Sequence, residues 1–422
     1  LAAMTRVNKV RGMNDLIPGQ IETWQAVEDQ IIKIFQSYGY NEIRLPLIEK
    51  TELFSRGVGQ STDIVNKEMY TFDDKGGESI SLRPEGTAGC VRAALDNDLI
   101  RVDSPRLWYM GPMFRYERPQ KGRSRQFHQA SAEFFGIKDP YADAELLFLS
   151  KKIWEVLGIS NQIELEINSL GGHKTRSSYK EALTNYFKDF QKELDNDSLR
   201  QLEDNPLRIL DSKNPENKIL LEEAPKITEY LDPESLDHHS ALLELLNSNG
   251  LTYKENPRLV RGLDYYNKTV FEWKSSSLGA QDTICGGGRY DSLVEELGGK
   301  PCPAIGFSIG LERLVLISEK IKENIKNPKR ISFVALGEEA ISKSVLIAEQ
   351  LRNELADVQI VLNFENTSAS SQIKKAIKSN SDYALIVGEE ELKDNTLSLK
   401  DLKEKNEQKS FNLKDLVERL KE

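Results

Sequence analysis

The sequence predicts a large α+β domain interrupted by a helical insertion, followed by a small α/β domain with a mixed, mostly parallel sheet. Three observations predict it. Residues 171–256 are rich in Lys, Glu, Asn and Asp at helical spacing, unlike the apolar, strand-like segments on either side. Beyond residue 330, strand-like and helix-like runs alternate, which implies right-handed crossovers between parallel strands. The 422 residues, 39% apolar and 29% charged, provide material for two or three cored domains.

The elements follow in order. Ile21, Trp24, Val27, Ile31, Ile34 and Phe35 recur at three- and four-residue steps, the pattern of an amphipathic helix that Gly39 ends. Residues 41–49 form an extended segment, and Pro46 lacks the backbone donor a central strand needs, so this segment belongs at a sheet edge or an interface. Strand-like runs follow at 80–82 and 107–109 and on both sides of a polar loop at 117–125. Ile163, Leu165 and Ile167 alternate as a strand does. Breaks at 204–206 and 232–233 divide the insertion into helices. Strands resume at 269–273, and 306–310 leads into a helix over 311–321. After a linker at 324–329 come strands at 331–336, 358–364 and 383–387, with helices at 340–355 and 368–379 between them.

Bulk properties narrow the function classes. No apolar run reaches the roughly 18 residues of a membrane helix, and residues 1–18 lack the apolar core of a secretory signal. Cys90, Cys285 and Cys302 are far apart, with no CxxC pair, which suits reduced thiols and argues against a zinc site. A cytoplasmic protein without a structural metal is expected. The net charge of −10 does not exclude a polyanionic partner, because binding depends on local basic surface.

Five clusters carry the chemistry. The first is Arg83-Pro84-Glu85-Gly86-Thr87, where a strand end turns into a helix with Thr87 as a candidate N-cap. Alternatively, Glu85 and Thr87 face a ligand amine. The second runs from Gly111 to Gln129 and places Arg115 near the end of one strand. Arg118, Lys121, Arg123 and Arg125 crowd the loop, a pattern that a solvated hairpin tip also produces. Gln129 and Glu133 are four apart on the second strand and so share a face. The third cluster is Arg261-Gly262-Leu263-Asp264-Tyr265-Tyr266, and the fourth is Gly286-Gly287-Gly288-Arg289-Tyr290, where glycines allow close backbone approach. The fifth is Gly310-Leu311-Glu312-Arg313, with Arg313 in the first turn of a helix.

In this order the clusters resemble the motifs of class II aminoacyl-tRNA synthetases, and the third and fourth resemble the two extra motifs of the bacterial-type histidyl-tRNA synthetase family. The helix with Pro46 resembles motif 1, the Arg115 strand and its loop motif 2, and the Arg313 segment motif 3. The resemblance implies a catalytic domain at 4–326 built on an antiparallel sheet flanked by helices, with the insertion at 171–256, and an anticodon-binding α/β domain at 330–422. It implies histidine, ATP and tRNA(His) as substrates, with Mg2+ accompanying ATP, no organic cofactor, and a homodimer built through motif 1.

The resemblance also implies roles. Arg115, Arg261 and Arg313 would be catalytic, with Arg115 on the α-phosphate, Arg313 on the γ-phosphate of a bent ATP, and Arg261 bridging the histidine carboxylate and the α-phosphate. Glu117 and Arg123 would complete the ATP site. Glu85, Thr87 and Gln129, with Gly86 between the first two, would receive the α-amino group. Glu133 and Tyr266 would take the imidazole, and Tyr265 and Tyr290 would wall its pocket. Arg118, Gln120 and Arg125 would reach the tRNA acceptor end. The rival reading is a synthetase-like regulatory subunit of histidine biosynthesis without catalysis; such proteins usually lack the anticodon domain and lose motif residues.

Overall fold

The computed structural model describes residues 7–60, 62–102, 104–212, 214, 217–279, 282–318, 321, 328–403 and 408–421. The chain divides into two compact units, 1–325 and 326–422. Most of the expected linker at 324–329 lies outside the described residues.

The first unit is organised by an eight-stranded sheet in the order Asn41–Glu42, Arg106–Phe114, Gln126–Phe135, Ala304–Gly310, Thr283–Arg289, Asn267–Lys274, Glu164–Ser169, Lys254–Glu255. The six inner strands pair antiparallel throughout. Only the two short edge strands pair in parallel, so the sheet is mixed rather than purely antiparallel. Helix Ile21–Ser37 buries Trp24, Val27, Ile31, Ile34 and Phe35 in the core that includes Trp108, Phe307 and the helix Pro140–Val156. Each fully buried apolar side chain of this size contributes about 1.5–3 kcal/mol.

A second core contains Tyr109, Tyr265, Tyr266 and Tyr290 together with Tyr179, Leu183 and Phe187 of the insertion helix His173–Asp189. The insertion therefore shares a core with the residues singled out in the sequence. Its other helices include Asn196–Asp204, Lys218–Glu223 and Pro233–Ser248. Asp232 caps the last of these by accepting from the Ser235 amide.

The extended segment around Pro46 splits between two sheets. Asn41–Glu42 edges the large one, and Ile48–Lys50 edges a three-stranded antiparallel sheet with Ser79–Leu82 and Tyr70–Asp73. Proline falls between them, where no ladder bond is lost.

The second unit is a five-stranded sheet in the order Val358–Val361, Lys329–Ala335, Tyr383–Val387, Leu397–Asp401, Gln408–Phe411. The first two pairings are parallel and the last two antiparallel. The mostly parallel expectation is thus corrected to an even mixture, because 397–411 adds a hairpin after the last crossover. Two boundaries also shift. The helix expected over 311–321 is Leu311–Ile317, and the strand expected over 358–364 ends at Val361.

Candidate active site

The deepest functional group is Glu133, on the strand Gln126–Phe135 between Leu107 and Gly306 of the flanking strands. Its side chain is fully buried. Gly306 makes this possible, since a Cβ there would run into the Glu133 carboxylate. Thr87 Oγ1 and the Tyr109 hydroxyl donate to Oε1 at 2.9 and 2.8 Å, and the Tyr290 hydroxyl donates to Oε2 at 2.5 Å. Burial pushes its pKa up to about 8 despite these donors.

Glu85 lies beside this cluster and accepts from the amides of Thr87 and Ala88 at 2.7 and 2.9 Å. It thereby satisfies two buried amides at the start of helix Thr87–Asp96 that have no partner within the helix. The N-cap of that helix is Gly86, not Thr87; the threonine is its first helical residue, and its hydroxyl points to Glu133 instead. Burial raises the Glu85 pKa, opposed by the two amides and by Arg115.

Three arginines reach the same space from different elements. Arg115 follows the strand Arg106–Phe114, donates from Nε to the Pro84 carbonyl at 2.8 Å, and sits 5.2 Å over the Phe127 ring. Arg261 pairs through Nη1 with Glu272 and lies 5.7 Å over the Tyr266 ring. Gly286 faces its guanidinium so closely that any Cβ would collide with it. Arg313, in the first turn of Leu311–Ile317, donates to the carbonyls of Thr283 and Gly122 at 2.5 and 3.2 Å. Burial lowers the pKa of Arg313, and the like charges of Arg123 and Arg115 lower it further. Burial also lowers that of Arg115, where Arg261 adds repulsion. For Arg261, burial is outweighed by Glu272, which holds the guanidinium firmly charged. Cations that repel one another in a cleft form a site for a polyanion.

These groups enclose a cavity of about 190 Å³ whose lining includes Glu85, Thr87, Arg115, Gln129, Arg261, Tyr265, Tyr266 and Arg313. Glu117, Arg123 and Glu312 line its other side, with Glu117 paired to Arg123. Three of the expected binding residues do not line it. Glu133 is closed off by its hydroxyl donors, and Tyr290, 1% exposed, stands behind the cavity and holds Glu133 rather than forming a wall. Gly86 is packed against the Tyr109 ring, which leaves no room for a side chain. Arg118 and Gln120 are exposed on the loop, and Arg125 is stacked 3.7 Å over Tyr116 with Nε on the Glu117 carbonyl. The structure brings none of these three into the cavity.

Tyr109 and Glu272 are site residues that the sequence patterns leave unmarked, and Glu312 stands within the fifth cluster without a role read for it. Glu272 accepts from both Arg261 and the Thr283 hydroxyl. Glu312 accepts the His128 amide on both oxygens at 3.0 Å. A charged residue inside an apolar strand, such as Glu272 within 269–273, is the one available signal. The segment around Gly12 also supports the loop, because its carbonyl accepts from the Arg125 amide at 2.8 Å and Asn14 reaches Ser124. Among the described residues no group of three or more His, Cys, Asp or Glu is placed to hold a metal ion. The three cysteines are buried and unpaired.

Comparison with known proteins gives consistent matches. A family model described as histidyl-tRNA synthetase matches residues 12–314, and one described as an anticodon binding domain matches residues 331–422. The chain is similar to the crystal structure of apo histidyl-tRNA synthetase from S. aureus, at 32% identity and a TM-score of 0.81, covering 99% of this chain and 100% of that one. It is similar in fold to histidyl-tRNA synthetase from Nostoc sp. at 21% identity and TM-score 0.67, covering 99% of each chain. A Bacillus halodurans structure described as an ATP phosphoribosyltransferase regulatory subunit/histidyl-tRNA synthetase matches at 22% identity and TM-score 0.65, covering 90% of this chain and 97% of that one.

Proposed function

Because this chain belongs to the histidyl-tRNA synthetase family, we propose that it joins L-histidine to tRNA(His) through a histidyl-adenylate, releasing AMP and pyrophosphate. One observation carries the proposal: Arg115, Arg261 and Arg313 line a single cavity together with Glu85, Thr87, Tyr265 and Tyr266, and Thr87 holds the buried Glu133 carboxylate behind it.

In the first step the histidine carboxylate attacks the α-phosphate of ATP, and pyrophosphate leaves in line. Negative charge accumulates on phosphoryl oxygens, so fixed cations and positioning supply most of the catalysis. Arg261 is suited to bridge the amino-acid carboxylate and the α-phosphate, because its planar fork can serve two oxygen pairs at once. Arg115 would hold the α-phosphate, and Arg313 with Arg123 would take the far end of the triphosphate. Magnesium would enter bound to ATP; Glu117 and Glu312, both on the cavity lining, are the carboxylates that could meet it. Glu85, Thr87 and Gln129 offer acceptors to the α-amino group. Tyr266, on the cavity lining, offers its hydroxyl to one imidazole nitrogen, and Glu133 would accept from the other once the Thr87 hydroxyl that covers it turns aside. In the second step the terminal ribose hydroxyl of the tRNA attacks the adenylate carbonyl, with Arg118, Gln120 and Arg125 reading the acceptor end.

The regulatory-subunit reading shares this fold, and the likeness to the Bacillus halodurans structure, at 22% identity, speaks for the fold alone. The match of residues 331–422 to an anticodon-binding domain favours the ligase, since only the ligase must recognise tRNA. We place the protein in the cytoplasm as a homodimer; no helix of the described residues is long and apolar enough to cross a membrane. Charging of a tRNA(His) transcript with labelled histidine tests the proposal. Labelled tRNA supports it, and a folded protein that binds histidine without charging any tRNA favours the regulatory reading.

A further inference from the structure

The loop 261–266 carries Arg261, Tyr265 and Tyr266 into the cavity, yet it belongs to no helix or strand. Buried backbone groups in such a loop need partners from elsewhere. The insertion supplies them. Arg176, on the helix His173–Asp189, donates from Nη1 to the Tyr266 carbonyl at 3.1 Å and from Nη2 to the Asp264 carbonyl at 3.3 Å. Arg208, in the short turn Pro206–Asp211, donates to the Asp264 carboxylate at 3.1 Å, where Asn205 adds a contact at 3.4 Å. The other side of Asp264 is fixed by the catalytic body. Its amide donates to the Val58 carbonyl at 3.1 Å, and its side chain packs against Gly59 so closely that no Cβ fits there.

We infer that Arg176 and Arg208 of the insertion are positioning residues for histidine recognition: they hold the loop that presents Arg261, Tyr265 and Tyr266. The inference rests on the ligase reading of that cavity. Neither arginine lines the cavity, so each acts only through the loop. The insertion is then part of the amino-acid site rather than an appendage to it, and anything that moves the insertion shifts the loop with it.

Arg208 makes the cleaner test, because its pair with Asp264 is partly solvated, with side chains 15% and 29% exposed. Histidine affinity is measured by calorimetry on the full chain, beside thermal unfolding, for Arg208→Ala, Arg208→Lys and Arg176→Lys. Expected for Arg208→Ala is a histidine Kd raised at least about fivefold, within the usual range of coupling between sites, while Tm stays within a few degrees. Arg208→Lys restores most of the affinity, since a single donor meets the carboxylate. Arg176→Lys weakens binding, since one ammonium cannot span two carbonyls. A Kd unchanged in Arg208→Ala and Arg176→Lys overturns the inference alone. A Tm that drops in these variants while the folded fraction keeps its Kd also overturns it, leaving a purely structural role. Failure of the unaltered protein to bind histidine overturns the ligase reading and this inference with it.

Discussion

The Tyr290 hydroxyl donates to Glu133 Oε2 at 2.5 Å across a fully buried contact, and Tyr109 donates to the other oxygen at 2.8 Å. A carboxyl with a pKa of about 8 holds its proton near neutrality in the free protein. An imidazole N–H approaching it is bound more strongly by the ionised carboxylate than by the neutral acid, and binding favours ionisation. Binding of histidine should therefore release protons between pH 6.5 and 8, seen as a buffer-dependent calorimetric enthalpy. Glu133→Gln should abolish that release. Proton uptake, or no buffer dependence, contradicts the role given to Glu133. For stability the sign is set by the same shift: a raised carboxyl pKa favours the folded state at low pH, and that contribution is lost as pH rises through about 8.

Arg289 and Asp143 form a second buried pair, both side chains fully buried, with Nε–Oδ2 2.8 Å and Nη2–Oδ2 2.5 Å. Arg289 also donates to the carbonyls of Ile137 and Asp139. Removing Arg289 leaves the buried Asp143 carboxylate with His238 Nε2, at 3.2 Å, as its remaining side-chain partner, and breaking a buried pair in this way costs about 3–5 kcal/mol. Arg289→Met should lower unfolding stability by that amount in urea titrations, and Asp143→Leu added to it should recover a substantial part. Near wild-type stability in Arg289→Met would count against this reading.

Gly306→Ala should destroy histidine binding and lower stability, because the new methyl group occupies the space of the Glu133 carboxylate and crowds the Ala132 carbonyl. Calorimetry should detect no binding at millimolar histidine by protein that circular dichroism shows to be folded. Retained affinity would mean that Glu133 can swing away at little cost.

Arg261→Lys keeps the charge but loses the fork. Its kcat for adenylate formation should fall about a hundredfold, the scale of losing one donor to developing charge. Stopped-flow measurement with ATP and histidine checks this. An unchanged rate would remove Arg261 from the chemistry.

The arginines are legible in the sequence because each occupies a marked position: Arg115 at a strand end beside a polar loop, Arg313 in a first helical turn, Arg261 beside paired tyrosines. Gln129 and Glu133 are legible through the two-residue period of a strand. Less visible are contacts spanning long sequence separation. Glu272 reads as an ordinary strand residue until Arg261 folds against it, and Arg176 and Arg208 read as solvated helix charges. Thr87 reads as a cap because cap preference is local, whereas its actual partner Glu133 is 46 residues away. The closing hairpin of the second unit escapes the sequence because Leu397–Asp401 is short and ends in polar residues, and Gln408–Phe411 is a mostly exposed edge strand where apolar alternation fades.

The most direct test is pyrophosphate exchange into ATP, run with each of the twenty amino acids in turn on the unaltered protein and on Arg261→Ala. Exchange with histidine alone, lost in the variant, is the expected result. Exchange with a different amino acid, or none from a folded protein that binds ATP, would contradict the ligase reading.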